Sequence, residues 1–260
     1  MTKEQHHFAH LLYLKELSTK PSSGIIKTFN YKDNRKIKEV YMSLLPAIEL
    51  ETQPQPDSSV IWLHGLGADG NDFAPIVPEL HLPKEMKVRF IFPHAPSIPV
   101  TINGGVIMPA WYDILEMAID VKRDITRLMQ SAKSIAKFID RERERGIDSK
   151  RIVIAGFSQG GAVAYQTALS YPHTLCGLLA MSTYFATADT LQMSKVNKKI
   201  PILIQHGEQD PVVPELLGRK ATTSLIKMGY SVSYQHYPME HAVCPKQIGA
   251  ISKWLQTILR

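Results

Sequence analysis

Short apolar runs alternate along the chain with longer segments in which apolar residues recur every three or four positions. The short runs are rich in β-branched residues, which favour strands, and the longer segments have the period of an amphipathic helix. The predicted strands are Ile48–Thr52, Val60–His64, Val88–Phe92, Arg151–Ala155, Cys176–Met181, Ile200–Gln205 and Ser231–Tyr237. Strands that alternate with helices predict an α/β fold in which helices cover both faces of a mostly parallel sheet.

Two of the predicted helices have a continuous apolar face. In the helix around 121–145 this face consists of Ile125, Leu128, Met129, Ala132, Ile135, Phe138 and Ile139, and in the last helix of Ile248, Ile251, Leu255 and Ile258. Such faces pack on a protein core, so neither is interpreted as a cofactor site. Residues 141–145 alternate between Arg and Glu at the end of the long helix, and this pattern predicts a solvent-exposed face.

The basic character of the chain is concentrated at its start. Residues 1–41 carry eight Lys or Arg residues and four Asp or Glu residues, which leaves +4 of the formal net charge of +6. We predict that residues 1–41 are a disordered extension or lie upstream of a true start at Met42, and that residues 42–260 form a single domain. The alternative is a basic arm for anionic membrane surfaces, but the charges form no clear amphipathic face.

Several classes of protein are not indicated by the sequence. No apolar run is long enough to cross a membrane, and the apolar stretch 8–14 is short for a secretory signal and is interrupted by His10. Two cysteines, Cys176 and Cys244, indicate neither a disulfide framework nor a metal site. We therefore expect a cytoplasmic protein that binds no metal or nucleic acid and contacts membranes peripherally at most. A homodimer is compatible with this sequence.

The sequence Gly156-Phe157-Ser158-Gln159-Gly160 follows a predicted strand and precedes small, helix-compatible residues. A G-x-S-x-G motif between a strand and a helix predicts a nucleophile elbow, a tight turn that presents a reactive serine. Glycine is needed because such a turn leaves no room for Cβ atoms beside the serine. The alternative is a glycine-rich connection in which Ser158 merely caps the helix.

A serine nucleophile needs a histidine as general base, and in α/β hydrolases this base follows the serine and the acid along the chain. The later histidines are His173, His206, His236 and His241. His241 is preferred because it lies in a loop at the carboxyl end of the last predicted strand, where catalytic groups of open α/β sheets gather.

The orienting acid should occupy the same position after the preceding strand. Asp210 does so and is the preferred acid, with Glu208 as its near rival and Asp189 as a weaker one. An Asp before a proline is also a common turn residue, and taken alone Asp210 would be interpreted in that way. Three candidates in the expected order at the ends of successive strands favour catalysis.

Two backbone N–H groups should stabilise the oxyanion formed during acyl transfer. One is expected from Gln159, the residue after the nucleophile, and the other from the loop after an early strand. That loop is His64-Gly65-Leu66-Gly67, and we assign the second donor to Leu66. His64 is interpreted as a structural residue that hydrogen-bonds to the backbone of the loop.

These motifs resemble those of the phospholipase/carboxylesterase family, which includes the acyl-protein thioesterases, and several resemble its bacterial members closely. The resemblance covers about residues 43–259 and is carried by residues 60–70, 93–96, 99–105, 108–113, 156–161, 206–207 and 210–214. It implies an α/β-hydrolase fold that needs no cofactor, with Ser158 as nucleophile, Asp210 as acid, His241 as base, and Leu66 and Gln159 as oxyanion donors. The chain departs from the family pattern at Glu240, where glycine is frequent, and in the loosely matching segment 115–128.

The uncharged, largely apolar segment 97–111 is expected to shape the substrate site. We predict a flexible flap over an apolar acyl channel, hinged at Gly104 and Gly105, with Ile107, Met108 and Trp111 as substrate-binding residues. The alternative is a buried hairpin packed against the core.

The predicted activity is hydrolysis of carboxylic esters or thioesters of acyl chains through an acyl-enzyme. The expected substrate is a small-molecule or lipid acyl ester, or an acylated protein. A lysophospholipase and a non-catalytic binding protein of the same fold are the alternatives, because fold alone does not secure activity.

Overall fold

A computed structural model describes residues 44–116 and 123–260 of the chain. Residues 45–260 form one compact unit. The predictions for the basic extension, residues 1–41, and for a helix start at Val121 lie outside the described residues, whereas residues 123 and 124 of the predicted helix are described and are not helical.

The main sheet has seven strands in the order β1-β3-β2-β6-β7-β8-β9, and a separate hairpin is formed by β4 and β5. The strands are β1 (Ala47–Glu51), β2 (Ser58–Leu63), β3 (Val88–Pro93), β4 (Ser97–Val100), β5 (Val106–Pro109), β6 (Ile152–Phe157), β7 (Gly177–Met181), β8 (Ile202–Gly207) and β9 (Val232–Tyr237). In the main sheet β1 pairs with β3 antiparallel, and the other neighbours are parallel. The predicted mostly parallel sheet is confirmed.

Burial explains why the central strands have apolar residues at successive positions. Every residue of the central strands β2, β6, β7 and β8 is buried, whereas the edge strands β1 and β9 are partly exposed. Parallel strands covered on both faces have apolar residues at successive positions, so they appear as continuous runs rather than as alternating patterns.

The described helices are α1 (Ile76–Glu79), α2 (Ile125–Glu144), α3 (Gln159–Ser170), α4 (Glu215–Lys227) and α5 (Pro245–Ile258). Helix α2 begins at Ile125 because the side chain of Asp124 accepts a hydrogen bond from the N–H of Arg127, which caps the first turn. Of the apolar faces predicted for α2 and α5, Leu128, Ile135 and Ile251 are fully buried. None of the helices within the described ranges combines the length and the apolar character that a membrane span requires.

The prediction of a solvent-exposed face at residues 141–145 holds for Arg143, Glu144 and Arg145, which are exposed, and is wrong for Arg141 and Glu142, which are buried. The side chain of Glu142 is fully buried and accepts hydrogen bonds from Arg89 on β3 (2.6 Å), from Ser59 on β2 (2.7 Å) and from Arg145 (3.0 Å). Arg141 lies 2.6 Å from Glu49 on β1. The end of α2 is therefore attached by ion pairs to the edge of the sheet, and its partners come from strands that are remote in sequence.

Candidate active site

Ser158 lies between β6 and α3 in a turn that only an unusual backbone conformation permits. Its φ and ψ angles are 54° and −123°, a region that residues other than glycine rarely adopt. A Cβ atom at Gly156 would lie 2.4 Å from the carbonyl oxygen of Gly160, and one at Gly160 would lie 2.5 Å from that of His64. The side chain of Ser158 makes no capping hydrogen bond to α3, which disfavours the interpretation as a helix cap.

The structure brings Ser158, His241 and Asp210 together in one chain of hydrogen bonds. Nε2 of His241 lies 2.9 Å from Oγ of Ser158, and Nδ1 of His241 lies 2.7 Å from Oδ2 of Asp210. Because an ionised carboxylate only accepts, Nδ1 carries the proton and Nε2 is free to accept the proton of the serine hydroxyl. These positions lie beyond the carboxyl ends of β6, β8 and β9, as expected for an open α/β sheet.

The carboxylate of Asp210 is held by the backbone of its own loop. Its Oδ1 atom accepts hydrogen bonds from the N–H groups of Val212 (2.9 Å) and Val213 (2.8 Å). Oδ2 is left facing His241, so the loop fixes the direction in which Asp210 contacts the imidazole.

The rival acids lie elsewhere in the structure. Glu208 accepts a hydrogen bond from the exposed ring of His236 at 2.7 Å. Asp189 lies 3.6 Å from Arg123. The structure therefore pairs each of these two carboxylates with a group other than His241.

His206 is a neighbour of the acid that the sequence analysis did not assign to the site. It is fully buried, its Nε2 donates to the carbonyl oxygen of Val213 at 2.8 Å, and the same atom lies 3.6 Å from Oδ2 of Asp210. Burial lowers the pKa of His206. The ring is thus a neutral support for the loop that holds Asp210, while His173, the remaining candidate base, is exposed beside Tyr171.

Two backbone N–H groups near the serine have no hydrogen-bond partner among the described residues. A Cβ atom at Gly65 would lie 3.4 Å from Cβ of Ser158, which places the loop that contains Leu66 against the elbow. No described residue accepts a hydrogen bond from the N–H of Leu66. Gln159 is the first residue of α3, so its N–H has no partner within the helix.

The side chain of Gln159 has a structural contact that sequence analysis missed. It is buried, its Oε1 accepts from the N–H of Trp111 at 2.8 Å, and its Nε2 donates to the carbonyl oxygen of Tyr112 at 2.6 Å. The elbow is thereby joined to the segment that follows the β4–β5 hairpin. The only signal in the sequence is a long polar side chain between Ser158 and Gly160, at the start of a helix in which small and apolar residues predominate.

The segment 97–111 forms the β4–β5 hairpin, whose tip is exposed to solvent. Ile107 is 68% exposed, and Sδ of Met108 lies 3.8 Å from the position that a Cβ of Gly67 would take. The tip is therefore not the buried hairpin of the alternative prediction. Trp111 is only 1% exposed and its Nε1 donates to the carbonyl oxygen of His64 at 2.9 Å, so it packs beneath the glycine loop.

Two further apolar residues are exposed just after the acid, and sequence analysis did not single them out. They are Val212, in the loop that holds Asp210, and Leu216, in the first turn of α4.

Within the described ranges, no cluster of three or more His, Cys, Asp or Glu side chains is arranged to hold a metal ion.

Comparison with known proteins places this chain among ester hydrolases. The sequence profile of the phospholipase/carboxylesterase family matches residues 46–259. Acyl-protein thioesterase 1 of Neurospora crassa is 37% identical over 223 residues, which are 82% of this chain and 89% of that protein. Acyl-protein thioesterase 1 of Cryptococcus neoformans is 33% identical over 235 residues, 83% of this chain and 98% of that protein.

Solved structures agree with these sequence matches. SOBER1 of Arabidopsis thaliana superimposes with a TM-score of 0.73 at 30% identity, covering 78% of this chain and 99% of that chain. Acyl-protein thioesterase 2 of Zea mays gives a TM-score of 0.72 at 26% identity, covering 83% and 100%. The family profile spans most of the chain, and these relatives are 33–37% identical to it over the aligned residues. The chain therefore belongs to the phospholipase/carboxylesterase family, has the α/β-hydrolase fold and is a hydrolase of ester or thioester bonds.

Proposed function

We propose that the protein cleaves acyl esters or thioesters through a covalent acyl-enzyme, with Ser158 as nucleophile, His241 as general base and Asp210 as the acid that orients it. The observation that carries the proposal is the continuous hydrogen-bond chain of 2.9 Å and 2.7 Å from Oγ of Ser158 through His241 to Asp210. Such a chain converts a weakly nucleophilic hydroxyl into an efficient one.

In the first step, Oγ of Ser158 bonds to the carbonyl carbon of the substrate while its proton moves to Nε2 of His241. The carbonyl electrons move to the oxygen, and the N–H groups of Leu66 and Gln159 stabilise the resulting oxyanion. When the tetrahedral intermediate collapses, the carbon–oxygen or carbon–sulfur bond breaks and His241 gives its proton to the leaving alcohol or thiol. Asp210 stabilises the imidazolium throughout without taking its proton.

In the second step, water attacks the acyl-enzyme. Its proton moves to Nε2 of His241 as its oxygen bonds to the acyl carbon, and the same two N–H groups stabilise the oxyanion. Collapse breaks the bond to Oγ, returns the proton to Ser158 and releases the carboxylic acid. The cycle needs no cofactor because each proton is moved by His241.

We propose acyl chains as the substrate class, carried by proteins or by lipids. The exposed apolar side chains of Ile107, Val212 and Leu216 support this proposal, as does the similarity to proteins named acyl-protein thioesterases. Hydrolysis rates for oxygen esters and thioesters of increasing acyl length, and for a lysophospholipid, distinguish a thioesterase from a carboxylesterase or a lysophospholipase.

We also propose that residues 42–260 suffice for hydrolysis and that the protein acts in the cytoplasm. Support comes from the compact unit formed by residues 45–260 and from the family match that begins at residue 46. A chain that starts at Met42 should hydrolyse substrate at the rate of the full chain.

Mass spectrometry of protein made from its own gene would reveal whether peptides from residues 4–38 are present. Gel filtration would reveal whether the protein is a homodimer.

The first experiment is intact-mass measurement before and after reaction with a fluorophosphonate. The parent should gain a single adduct, whereas Ser158→Ala should gain none because the nucleophilic oxygen is missing. Ser170→Ala is the matched control, since Ser170 lies at the opposite end of α3, where its hydroxyl donates to the carbonyl of Gln166. An adduct on Ser158→Ala, or none on the folded parent, would overturn the assignment.

A further inference from the structure

The buried imidazole of His64 is fixed in one orientation and one tautomer by two hydrogen bonds. Its Nδ1 lies 2.8 Å from the carbonyl oxygen of Gly65, and its Nε2 lies 3.1 Å from the N–H of Ala95. A carbonyl oxygen can only accept and an amide N–H can only donate, so Nδ1 carries the proton and Nε2 carries the lone pair. The ring is therefore neutral, and burial lowers the pKa of His64 to about 4.

The bond to Gly65 has a consequence for the next residue along the chain. The carbonyl of Gly65 and the N–H of Leu66 belong to one planar trans peptide, so they point in opposite directions. When the His64 ring holds the carbonyl oxygen, the N–H of Leu66 must point away from the ring. Gly65 itself lies against Ser158, with the position of a Cβ atom 3.4 Å from Cβ of the serine.

Other contacts hold this peptide less firmly. The N–H of Ala68 also reaches the carbonyl of Gly65, but at 3.4 Å, near the limit of a hydrogen bond. The N–H of Gly67 donates to Pro109 at 2.8 Å and anchors the far side of the loop. Nδ1 of His64 thus makes the shortest hydrogen bond to the peptide that precedes Leu66.

We infer that His64 is a positioning residue, whose Nδ1–H holds the carbonyl of Gly65 so that the N–H of Leu66 faces the oxyanion formed at Ser158. This inference rests on the proposed acyl transfer, in which Leu66 is one of two oxyanion donors. Because the oxyanion exists only after nucleophilic attack, His64 should affect turnover and leave substrate binding almost unchanged. Its second bond, to Ala95, supports the fold but does not act on Leu66.

Two substitutions separate the two hydrogen bonds of the ring. His64→Asn places an amide N–H near the position of Nδ1 and removes the acceptor for Ala95, whereas His64→Gln places an amide oxygen near Nε2 and removes the donor to Gly65. We expect His64→Gln to lower kcat by about 30- to 100-fold with KM unchanged, since losing one oxyanion donor costs about 10²- to 10³-fold. His64→Asn should retain kcat within about threefold of the parent, because the Gly65 carbonyl keeps its donor.

Thermal unfolding of both variants checks that they are folded. Equal losses of kcat in the two folded variants, or a loss confined to His64→Asn, would overturn the inference and leave His64 with a structural role. An unreactive parent in the fluorophosphonate experiment would instead refute the proposed function, so the two failures are distinguishable.

A measurement on the parent protein applies even when a variant does not fold. The ¹⁵N chemical shifts of the imidazole at pH 7 report which nitrogen of His64 is protonated, and the amide proton of Leu66 reports hydrogen bonding to a tetrahedral boronate adduct of Ser158. We expect a protonated Nδ1 and a downfield shift of the Leu66 amide proton on adduct formation. An unprotonated Nδ1, or an unshifted Leu66 amide, would contradict the inference.

Discussion

The two carboxylate oxygens of Asp210 make different contacts, one with the backbone of its own loop and one with His241. One carboxylate oxygen accepts hydrogen bonds from two backbone N–H groups of its own loop, and the other lies 2.7 Å from His241. Glu208, only two residues earlier, instead contacts His236. The direction of the side chain, set by the loop, therefore separates two carboxylates that are similar in chemistry and close in sequence.

At this scale we predict different outcomes for two matched substitutions. Asp210→Asn should lower kcat by about 10⁴-fold with little change in KM, because the amide stabilises the wrong tautomer of His241 and cannot stabilise its cation. Glu208→Gln should leave kcat within about twofold of the parent, because an exposed ion pair contributes little. Steady-state kinetics on one ester substrate checks both, and a larger loss in Glu208→Gln would identify that residue as the acid.

The lowered pKa of His64 also makes the free energy of unfolding depend on pH. Burial lowers its pKa from the usual 6.5 to about 4, although the hydrogen bond to the carbonyl of Gly65 and, to a smaller extent, the charge of Asp69 oppose the shift. Between these pH values the unfolded chain binds a proton that the folded protein does not, so stability falls as the pH falls from about 6.5 to about 4. This histidine accounts for about 3 kcal/mol over the interval.

Urea unfolding at several pH values between 7 and 4 tests this expectation. Because His206 is also buried with a lowered pKa, the parent should lose stability through both rings. The His64→Asn variant should lose less over the same interval than the parent. Parallel curves for the two proteins would show that His64 takes up a proton equally in the folded and unfolded states.

Among the elements, the junction of β6 and α3 leaves no space for a side chain at two successive positions. A Cβ atom at Gly160 would lie 2.5 Å and 2.6 Å from the backbone oxygens of His64 and Leu63, and one at Gly161 would lie 2.5 Å from the side chain of Thr183. Close packing of the helix start against two neighbouring segments therefore explains glycine at both positions.

We predict that Gly160→Ala lowers the free energy of unfolding by about 2–5 kcal/mol, because backbone atoms cannot move aside as a flexible side chain can. Gly249→Ala in α5 is the matched control, since beyond the adjacent backbone of its own helix no atom of the described residues lies within 4 Å of a Cβ at that position. It should raise the free energy of unfolding by about 0.5–1 kcal/mol through higher helix propensity. Urea unfolding measures both, and a neutral Gly160→Ala would contradict the packing explanation.

For the molecule as a whole, the ion-pair network around Glu142 links the end of α2 to strands β1 and β3. These strands form the edge of the sheet opposite to β9, the strand that precedes His241. The fully buried carboxylate contacts Arg89 and Arg145, and Arg141 completes the cluster with Glu49. A buried ion pair adds little net stability, but the loss of one partner leaves the opposite charges uncompensated.

Glu142→Gln should therefore lower the free energy of unfolding by about 3–5 kcal/mol while leaving kcat of the folded protein unchanged. Glu144→Gln, an exposed position in the same helix, should change it by less than about 0.5 kcal/mol. Denaturant unfolding and kinetics at a temperature well below the transition check these outcomes. Equal stabilities of the two variants would indicate that Glu142 is solvated.

The features that could be predicted from sequence depend on neighbouring residues. The strand that precedes Ser158 is a continuous apolar run because β6 is buried on both faces, and the glycines of the elbow reflect a steric limit within a few residues. The helix that follows was predicted from its small residues, which are also a local feature of the sequence. The chemical order of serine, acid and histidine further limited the choice to a few residues in two loops.

Contacts between remote segments were decided only by the tertiary structure. The alternating charges of 141–145 are equally compatible with solvent and with burial. Arg141 and Glu142 are buried because Glu49 and Arg89, from strands far away in the chain, pair with them. Two further contacts likewise depend on where separate loops meet. One is the hydrogen bonding of the Gln159 side chain to the backbone of Trp111 and Tyr112, and the other is the pairing of His241 with Asp210 rather than with Glu208. Local sequence determined the strands, the helices and the elbow, because the physical constraints on them involve residues that are close in the chain. The contacts of individual side chains were determined by the tertiary structure, because residues that are far apart in the chain become neighbours only when it folds.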